Sequence, residues 1–321
     1  MGEESAAYAA GGKDGVLSDA HNRGISLISI ITVTFHSEQV IQRFLDSLAT
    51  VRPWLGDSEV LIHDNTAHNI GLSKAVNSLL SRAKGDLVLL CNPDIIFNAS
   101  IFIMLDYIVE HPNTGVIPDF LNTDGSIQRT INRRYPTITR ILFDFTFMGR
   151  KVNKIFPWIS ADYCYSRVHS TTPWRVEQPG GSCLLLSRQT IDKLSQDGYF
   201  YDEHFPVLWN DVDLAMRARD RGIQFVLVPG AKIVHVLAHS TRTSDPRFIQ
   251  MLFYSRAGFM GFAKKWGLRA RIFQLAVFID IYFIIMVKMF KLIQKRGHVR
   301  QETTASKVLD SILYRFRCTL T

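Results

Sequence analysis

Several acidic residues and one histidine follow or lie within apolar, strand-like runs of this 321-residue chain. They are Asp64 at the end of EVLIHD, Asp94 after DLVLLCNP, Asp211 and Asp213 shortly after VLW, and His235 in AKIVHV. The carboxyl ends of parallel strands meet at one edge of a sheet, where ligands bind. Carboxylates gathered there repel one another unless a cation or a cationic ligand belongs among them. Because Asp and His ligands suit Mn²⁺ or Mg²⁺, the pattern predicts a divalent-metal site.

Each of these residues also has an interpretation without chemistry. Asp64 would serve as a turn or helix-capping residue, and Asp211 as a partner of a helix dipole. His235 would be a hydrogen-bonded core histidine. Asp94 would be a turn aspartate, because the preceding proline can end a strand. Taken singly these interpretations remain open, whereas the gathering of the residues favours a site.

The elements that must position these residues alternate between strand and helix patterns. Strands are predicted over ISLISIITVTF, EVLIHDN, DLVLLCNPD and TGVIPDF, and helices over SEQVIQRFLDSLATV, NIGLSKAVNSLLSRA and ASIFIMLDYIVEHP. Ser37 is expected to cap the first helix, and Gly71 to open the second. This alternation predicts an α/β fold with a mostly parallel, doubly wound, Rossmann-like sheet and helices on both faces.

The second half of the pattern is less regular. LNTDGSIQR predicts a turn leading out of the sheet, and residues 132–175 give no assignment. A strand over GGSCLLLS, a short helix over RQTIDKLS and a helix from about Asn210 to Gly222 follow. IQFVLVPG and AKIVHV are predicted as two further strands.

Composition and charge narrow the partners. The chain carries a net charge of +8 with a pI of about 9.3, which raises nucleic acid or an anionic membrane as partners. Residues 264–300 hold nine Lys or Arg and one acid, so this stretch alone carries +8 and the other 28 basic and 28 acidic residues cancel. Since the stretch is also apolar, it predicts an anionic membrane surface and no nucleic acid.

The ends of the chain and the cysteines add coarser limits. Residues 1–24 are small, polar and glycine-rich, without the apolar core of a signal peptide, which predicts a disordered tail. We expect a catalytic domain over 25–245 and a helical, membrane-associated region over 246–321. The four cysteines form no CxxC pair. Cys91 and Cys183 lie in apolar runs, which favours buried thiols in a reducing compartment.

The sequence resembles the GT-A-fold family 2 inverting glycosyltransferases, in particular the rhamnosyltransferase-like members that build bacterial surface polysaccharides such as O-antigen. The matching stretches run in order from about Ser29 to Ser240, roughly two thirds of the chain. They are SIITVTFHSE, EVLIHDN, HNIGLSKAVN, GDLVLLCNPDIIF, TDGSIQRTINRRYPT, GGSCLLLSRQTI, GYFYDEHFPVLWNDVDLAMRARDRG and VPGAKIVHVLAHS. The resemblance implies a nucleotide diphosphate sugar as donor, dTDP- or UDP-linked, and a metal cofactor, Mn²⁺ or Mg²⁺.

The resemblance also implies roles on the donor side. Asp94 ends the segment that matches the family's metal-binding Asp-x-Asp motif, although Asn92 replaces the first acid. His235 matches a further metal ligand. Asp64 matches the acid that accepts a hydrogen bond from the pyrimidine base. The remaining donor-site candidates are Thr34, His36, Asn65, Asn92 and Lys74; His36 stands where relatives have asparagine, and Lys74 is either a phosphate contact or a solvated lysine.

On the acceptor side the resemblance implies that Asp211 is the catalytic base. Inversion by direct displacement needs a carboxylate that takes the proton of the acceptor hydroxyl. The family's Glu-Asp-x-Asp pattern is here Asn210-Asp211-Val212-Asp213. Asp213 has a structural or an acceptor-positioning role. Gly180, Gly181 and Ser182 resemble the loop that frames donor and acceptor, and Trp209 either stacks on a sugar or packs in the core.

The C-terminal stretch has three interpretations. Residues 272–287 form an apolar run of sixteen residues, whereas a spanning helix needs about 20. Lys288, Lys291 and Lys295 share one helical face, which favours a helix lying in the membrane interface. The alternatives are a spanning or re-entrant helix, and an amphipathic helix packed on the domain or on a second copy in a homo-oligomer.

The sequence therefore predicts an enzyme at the cytoplasmic face of the inner membrane, peripheral or monotopic. It would move a sugar, rhamnose in the first instance, to a lipid-linked glycan acceptor. A sugar nucleotidyltransferase is a second hypothesis, but the segment TVTFHSEQV lacks the glycine-rich loop of that class. A non-catalytic nucleotide-sugar or membrane-binding relative is the third, since the first acid of the metal motif and the glutamate of the base motif are both replaced.

Overall fold

A computed structural model describes residues 26–236 apart from 129–130, 157, 159–161 and 166–167, and in the C-terminal part residues 258–267, 271, 272, 275, 278, 279, 282 and 286. The predicted tail over 1–24 and most of the region over 246–321 lie outside these residues. No helix within the described ranges is long and apolar enough to cross a membrane.

The described residues of 26–236 form eight strands and seven α-helices. The strands are β1 (Ile28–Thr34), β2 (Ser58–Asp64), β3 (Leu87–Cys91), β4 (Ile95–Ile96), β5 (Thr114–Leu121), β6 (Trp174–Val176), β7 (Cys183–Ser187) and β8 (Gln224–His235). The helices are α1 (Ile41–Val51), α2 (Leu72–Leu80), α3 (Ile101–Glu110), α4 (Ile138–Phe145), α5 (Phe147–Ile155), α6 (Arg188–Leu194) and α7 (Asn210–Asp220). A further helix, α8, covers 258–265.

The sheet is mixed, which corrects the prediction of a mostly parallel sheet. Its order is β2-β1-β3-β7-β5-β8-β4, with β6 paired to β8. The β1–β2, β1–β3 and β5–β8 pairs are parallel, whereas β7 runs antiparallel to both neighbours and β4 and β6 run antiparallel to β8. The strand–helix alternation predicts direction only where a helix crosses between strands. Among the described residues no helix lies between β3 and β4 or between β6 and β7, so the pattern gives no direction for β4 and β7.

Helices cover both faces of the sheet, as predicted. β3 shows why, because all five of its residues are buried: Leu87, Leu89 and Cys91 join the cluster under α1 and α3, while Val88 and Leu90 join the cluster under α2, α6 and α7. Successive side chains of a strand point to opposite faces, so a fully apolar strand needs cover on both sides.

Three local predictions were wrong or incomplete. Ser37 does not cap α1 through its side chain; its carbonyl accepts from Ile41 N at 2.9 Å, and Val40 stands at the N-cap. IQFVLVPG and AKIVHV form the single strand β8, whose pairing with β5 is interrupted by a bulge after Val228. The residues 132–175, which gave no assignment, contain α4, α5 and the start of β6. Thr137 and Thr146 cap the two helices, but both stand inside an aromatic, basic stretch.

Candidate active site

The tips of β1 and β2 form one end of the candidate site. Thr34 and Asp64 are register partners at the last positions of these parallel strands, and Thr34 Oγ1 donates to Asp64 Oδ1 at 3.0 Å. Thr66 adds its backbone N–H at 2.9 Å and its hydroxyl at 2.6 Å to the same oxygen. The Thr66 side chain first, then its backbone N–H, lower the pKa of the Asp64 carboxyl, so this exposed acid is an ionised acceptor.

The other residues predicted for the donor side lie around this tip in different ways. His36 is exposed, has a φ of +50°, and donates its backbone N–H to Thr66 Oγ1 at 3.1 Å. Asn65 is buried, and its Oδ1 accepts from Ile70 N at 3.2 Å, so this side chain holds the loop before α2. Lys74 lies exposed in the first turn of α2.

The turn after β3 meets the end of β8. Asp94 O accepts from Val236 N at 2.9 Å, Ile95 pairs with His235, and Asp94 Oδ1 lies 3.4 Å from His235 Nε2. The carboxylate is partly exposed and the imidazole is buried. Within the described ranges no group of three or more His, Cys, Asp or Glu could hold a metal ion; Asp94 and His235 form a pair.

Gln128, which the sequence patterns did not single out, orients the His235 ring. Its amide nitrogen donates to the carbonyl oxygens of His235 at 2.5 Å and Leu121 at 3.3 Å. Carbonyl oxygens only accept, so the other end of the amide, Oε1, faces His235 Nδ1 at 2.9 Å and needs a proton there. A neutral ring in this position carries its hydrogen on Nδ1 and presents the lone pair of Nε2 to Asp94.

This tautomer is the one that fits a metal. Nε2 and the Asp94 carboxylate oxygen face each other at 3.4 Å, and Asp and neutral His are both suitable ligands for Mn²⁺. The hydrogen bond to Nδ1 is the usual outer support of a metal-binding histidine. Asp94 and His235 therefore fit a divalent cation, with Gln128 as the residue that fixes the ring.

Replacing Gln128 tests this arrangement directly. We expect Gln128→Leu to weaken Mn²⁺ binding about 10–100-fold, because Nδ1–H loses its acceptor and the ring is no longer held in one tautomer. Electron paramagnetic resonance of free Mn²⁺ during titration measures the affinity without any turnover. Gln42→Leu, the same change at an exposed glutamine of α1, is the control. Equal Mn²⁺ affinities for Gln128→Leu and Gln42→Leu would contradict the assignment.

The loop before β7 joins the metal side of the site to the base side. Asn92 N donates to Ser182 O at 2.9 Å, and Asn92 Nδ2 lies 3.2 Å from Ser182 Oγ. A Cβ added to Gly181 would lie 3.8 Å from Asp211 Cβ. At Gly180 it would lie 2.1 Å from Ile131 Cγ2, so only glycine allows this close approach. The predicted loop residues thus stand between Asn92 and Asp211.

Asp211 lies in the first turn of α7 with mixed surroundings. The residue is half-buried, and burial raises the pKa of its carboxyl, while the nearby Arg133 guanidinium and a hydrogen bond from the Gln178 side chain lower it. Arg133 and Gln178 are backbone partners across two loops, with N···O distances of 2.9 Å in both directions. Neither residue was predicted, because a loop pair leaves no periodic signal in the sequence.

Asp213 and Trp209 contact α8 and the residue that follows it. Asp213 is fully buried and accepts from Arg217 Nε at 2.9 Å, Lys265 Nζ at 2.8 Å and Trp266 Nε1 at 2.9 Å. The Trp209 ring lies 5.4 Å from Phe259 and 5.2 Å from Phe262, measured between centroids. These contacts correspond to the structural alternative for Asp213 and the packing alternative for Trp209.

Comparison with known proteins agrees with the motifs. No family model matches the chain. It is 27% identical over 260 residues to the N-acetylglucosaminyl-diphospho-decaprenol L-rhamnosyltransferase of Mycobacterium tuberculosis, in two strains, covering 67% of this chain and 78% of that protein. The resemblance to rhamnosyltransferases predicted from the motifs is confirmed.

Two solved structures match the chain in part, at low sequence identity. Glucosyl-3-phosphoglycerate synthase from Mycobacterium tuberculosis, in a complex with Mn²⁺, UDP-glucose and phosphoglyceric acid, gives a TM-score of 0.47 at 15% identity and covers 80% of this chain and 85% of that chain. Residues 1–349 of TarS from S. aureus give a TM-score of 0.38 at 14% identity and cover 72% of this chain and 64% of that chain.

Proposed function

We propose that this protein is an inverting glycosyltransferase that transfers a sugar from a nucleotide diphosphate sugar to a lipid-linked glycan. The observation that carries the proposal is the gathering of three chemically distinct groups along one sheet edge: the ionised Asp64, the Asp94–His235 pair and the half-buried Asp211. An acceptor for a base N–H, a cation-binding pair and a general base are the groups that such a transfer needs. The rhamnosyltransferase relative supports the same class.

The donor would lie along the tips of β1, β2 and β3. Asp64, held by Thr34 and Thr66, accepts from the ring N3–H of uracil or thymine. Asp94 and His235 would hold Mn²⁺ or Mg²⁺, which supplies positive charge for the diphosphate leaving group when bound. Lys74 at the start of α2 is a further candidate for a phosphate contact. Because the Asn92-Pro93-Asp94 turn contains a single acid, His235 would be needed as the second protein ligand.

Asp211 would act as the base. The acceptor hydroxyl oxygen forms a bond to the anomeric carbon while the bond from that carbon to the phosphate oxygen breaks, and the hydroxyl proton passes to the Asp211 carboxylate. Attack opposite to the leaving group inverts the configuration. Among the described residues Gln178 Oε1 is buried without a hydrogen-bond partner, which supports a role in accepting from a sugar hydroxyl beside the base.

A membrane-bound acceptor is the finer part of the proposal. The relative's name specifies a decaprenol-linked acceptor and rhamnose, and we propose the same classes here, with dTDP-rhamnose as the first donor to test. The C-terminal helical residues Ile272, Leu275, Ile279, Tyr282 and Met286 are all exposed and recur every three or four positions. These exposed apolar side chains, in a stretch whose sequence is basic over 264–300, support docking on the cytoplasmic surface of the plasma membrane.

A panel of nucleotide sugars tests the donor assignment. We expect dTDP- and UDP-sugars with Mn²⁺ to raise the thermal unfolding midpoint, because a ligand that binds only the folded state stabilises it by mass action. GDP-sugars, or the same donors with excess EDTA, should give a smaller rise. A preference for guanosine would contradict the Asp64 assignment. Stabilisation without any turnover on a lipid-linked acceptor would instead support the non-catalytic alternative.

A further inference from the structure

The end of α5 exposes an apolar and basic surface that the proposed site does not use. Ile155, Phe156 and Trp158 are 67%, 43% and 69% exposed, although they are among the largest apolar side chains. The Phe156 and Trp158 rings meet edge to face with centroids 5.3 Å apart. Lys151 and Lys154 are exposed on the same helix. We call these five residues the α5 surface.

The sequence around the α5 surface is also one-sided in charge. Residues 145–161 contain three basic residues and no acid. Tryptophan and phenylalanine beside lysine are the residues that settle at the boundary between lipid headgroups and acyl chains. Lysines there interact favourably with anionic headgroups. The chemistry of the surface therefore matches an anionic bilayer.

The α5 surface is carried on a firmly built hairpin. Thr137 and Thr146 cap α4 and α5 by accepting from Arg140 N at 3.2 Å and Gly149 N at 2.9 Å. A Cβ on Gly149 would lie 2.1 Å from Leu142 O, so the two helices approach closely at their corner. The hairpin is thus preorganised to present its end, which lowers the entropic cost of docking.

The hairpin is attached to the base side of the site. Ile141 of α4 is buried with Phe259 and Ala263 of α8, and Trp209 packs against the same cluster. Trp209 directly precedes α7, whose first turn contains Asp211. The hairpin that carries the α5 surface is therefore packed against the segment that leads into the first turn of α7.

We infer that the α5 surface is a membrane-contact site for anionic lipid, in addition to the C-terminal stretch. The inference deepens the proposed function and rests on it only in taking the acceptor to be held in a bilayer. A second copy of the chain is the weaker occupant, because a stable dimer buries about 800 Å² on each partner and two such basic surfaces repel. Three partly exposed side chains do not approach that area.

Flotation with lipid vesicles tests this surface on the full chain. We expect Phe156→Ser with Trp158→Ser to weaken binding to phosphatidylglycerol-containing vesicles about tenfold or more, because two interfacial anchors are lost. Lys151→Gln with Lys154→Gln should weaken binding to these vesicles and leave the weaker binding to phosphatidylcholine unchanged. Tyr199→Ser, at a residue 49% exposed in the loop after α6, is the control and should bind like the wild type.

A second measurement reports on the surface itself. Brominated lipids quench tryptophans that enter the bilayer, and we expect part of the quenching to disappear in Trp158→Phe, which keeps an aromatic anchor. The assays contain no nucleotide sugar and no metal, so they fail or succeed independently of transferase activity. Wild-type vesicle binding by the double serine variant, quenching unchanged in Trp158→Phe, or self-association through this surface would overturn the inference.

Discussion

Asp211→Asn is expected to lower kcat by about 10²–10⁴-fold while the protein remains folded. The amide keeps the size of the carboxyl but cannot take the proton of the acceptor hydroxyl. We expect KM for the donor to change little, because Asp211 lies on the other side of the loop over 180–182 from Asn92. Steady-state transfer from the donor identified by the nucleotide-sugar panel measures both constants.

The raised pKa of Asp211 sets the pH dependence. Burial disfavours the carboxylate, so the folded protein holds this proton to a higher pH than the unfolded chain does. Wild-type kcat should therefore fall as pH is lowered through this raised pKa, since only the ionised form accepts a proton. By the same linkage the carboxylate opposes folding above its unfolded pKa. Asp211→Asn should consequently unfold at the same temperature as the wild type or higher.

Asp220→Asn is the matched control for the base. It makes the same change at the exposed, C-terminal end of α7, and we expect its kcat to stay within about twofold of the wild type. If Asp211→Asn retained the kcat of Asp220→Asn, another residue would be the base. If the unfolding midpoint of Asp211→Asn fell sharply, its lost activity would report on folding. The pH profile of the wild-type kcat would then decide whether a carboxyl of raised pKa is the base.

Arg217→Leu has the largest expected effect on stability. Arg217 and Asp213 have side chains only 4% and 0% exposed and are joined by a hydrogen bond of 2.9 Å. Arg217 also donates to the carbonyl oxygens of Leu194 and, at 2.7 Å, Phe200. Removing one partner of a buried ion pair leaves the other uncompensated, at a cost of about 3–5 kcal/mol. Since Lys265 still contacts Asp213, we expect about 3 kcal/mol in chemical denaturation.

Arg82→Leu, the same substitution at an exposed residue after α2, is the control and should change the free energy of unfolding by less than about 0.5 kcal/mol. Equal values for the two variants would show that the buried network adds nothing beyond a surface arginine. A large loss for Arg217→Leu would show that the buried network of Asp213 and Arg217 contributes to stability, and would favour a structural role for Asp213 over acceptor positioning.

The local sequence predicted most elements that carry the candidate site. The alternation of apolar runs and amphipathic segments predicted β1, β2, β3 and β5 with α1, α2 and α3 between them, because each has a complete period of its own. Gly71 and Gly222 mark the start of α2 and the end of α7 with φ of +85° and +70°, where glycine has no side-chain penalty. The acids at strand tips followed from this pattern, and Asp64 and Asp94 stand where it put them.

Tertiary structure decided the features that depend on pairing between distant parts of the chain. The antiparallel course of β7 follows from residues 183–187 inserting between β3 and β5, which no local period encodes. The helix α4 escaped prediction because its buried residue Ile141 packs against Phe259, more than a hundred positions away. Joining two predicted strands into β8 likewise depends on the bulged pairing with β5.

The sequence by itself determined which residue types could bind a base, a cation and a proton. It left open which groups support them, because Gln128 lies 107 positions from His235, and Asp213 lies far from Lys265 and Trp266 in the chain. Only folding brings these partners within hydrogen-bond distance, where burial makes their geometry and charge decisive. The tautomer of His235, the raised pKa of Asp211 and the burial of Asp213 are consequences of tertiary structure alone.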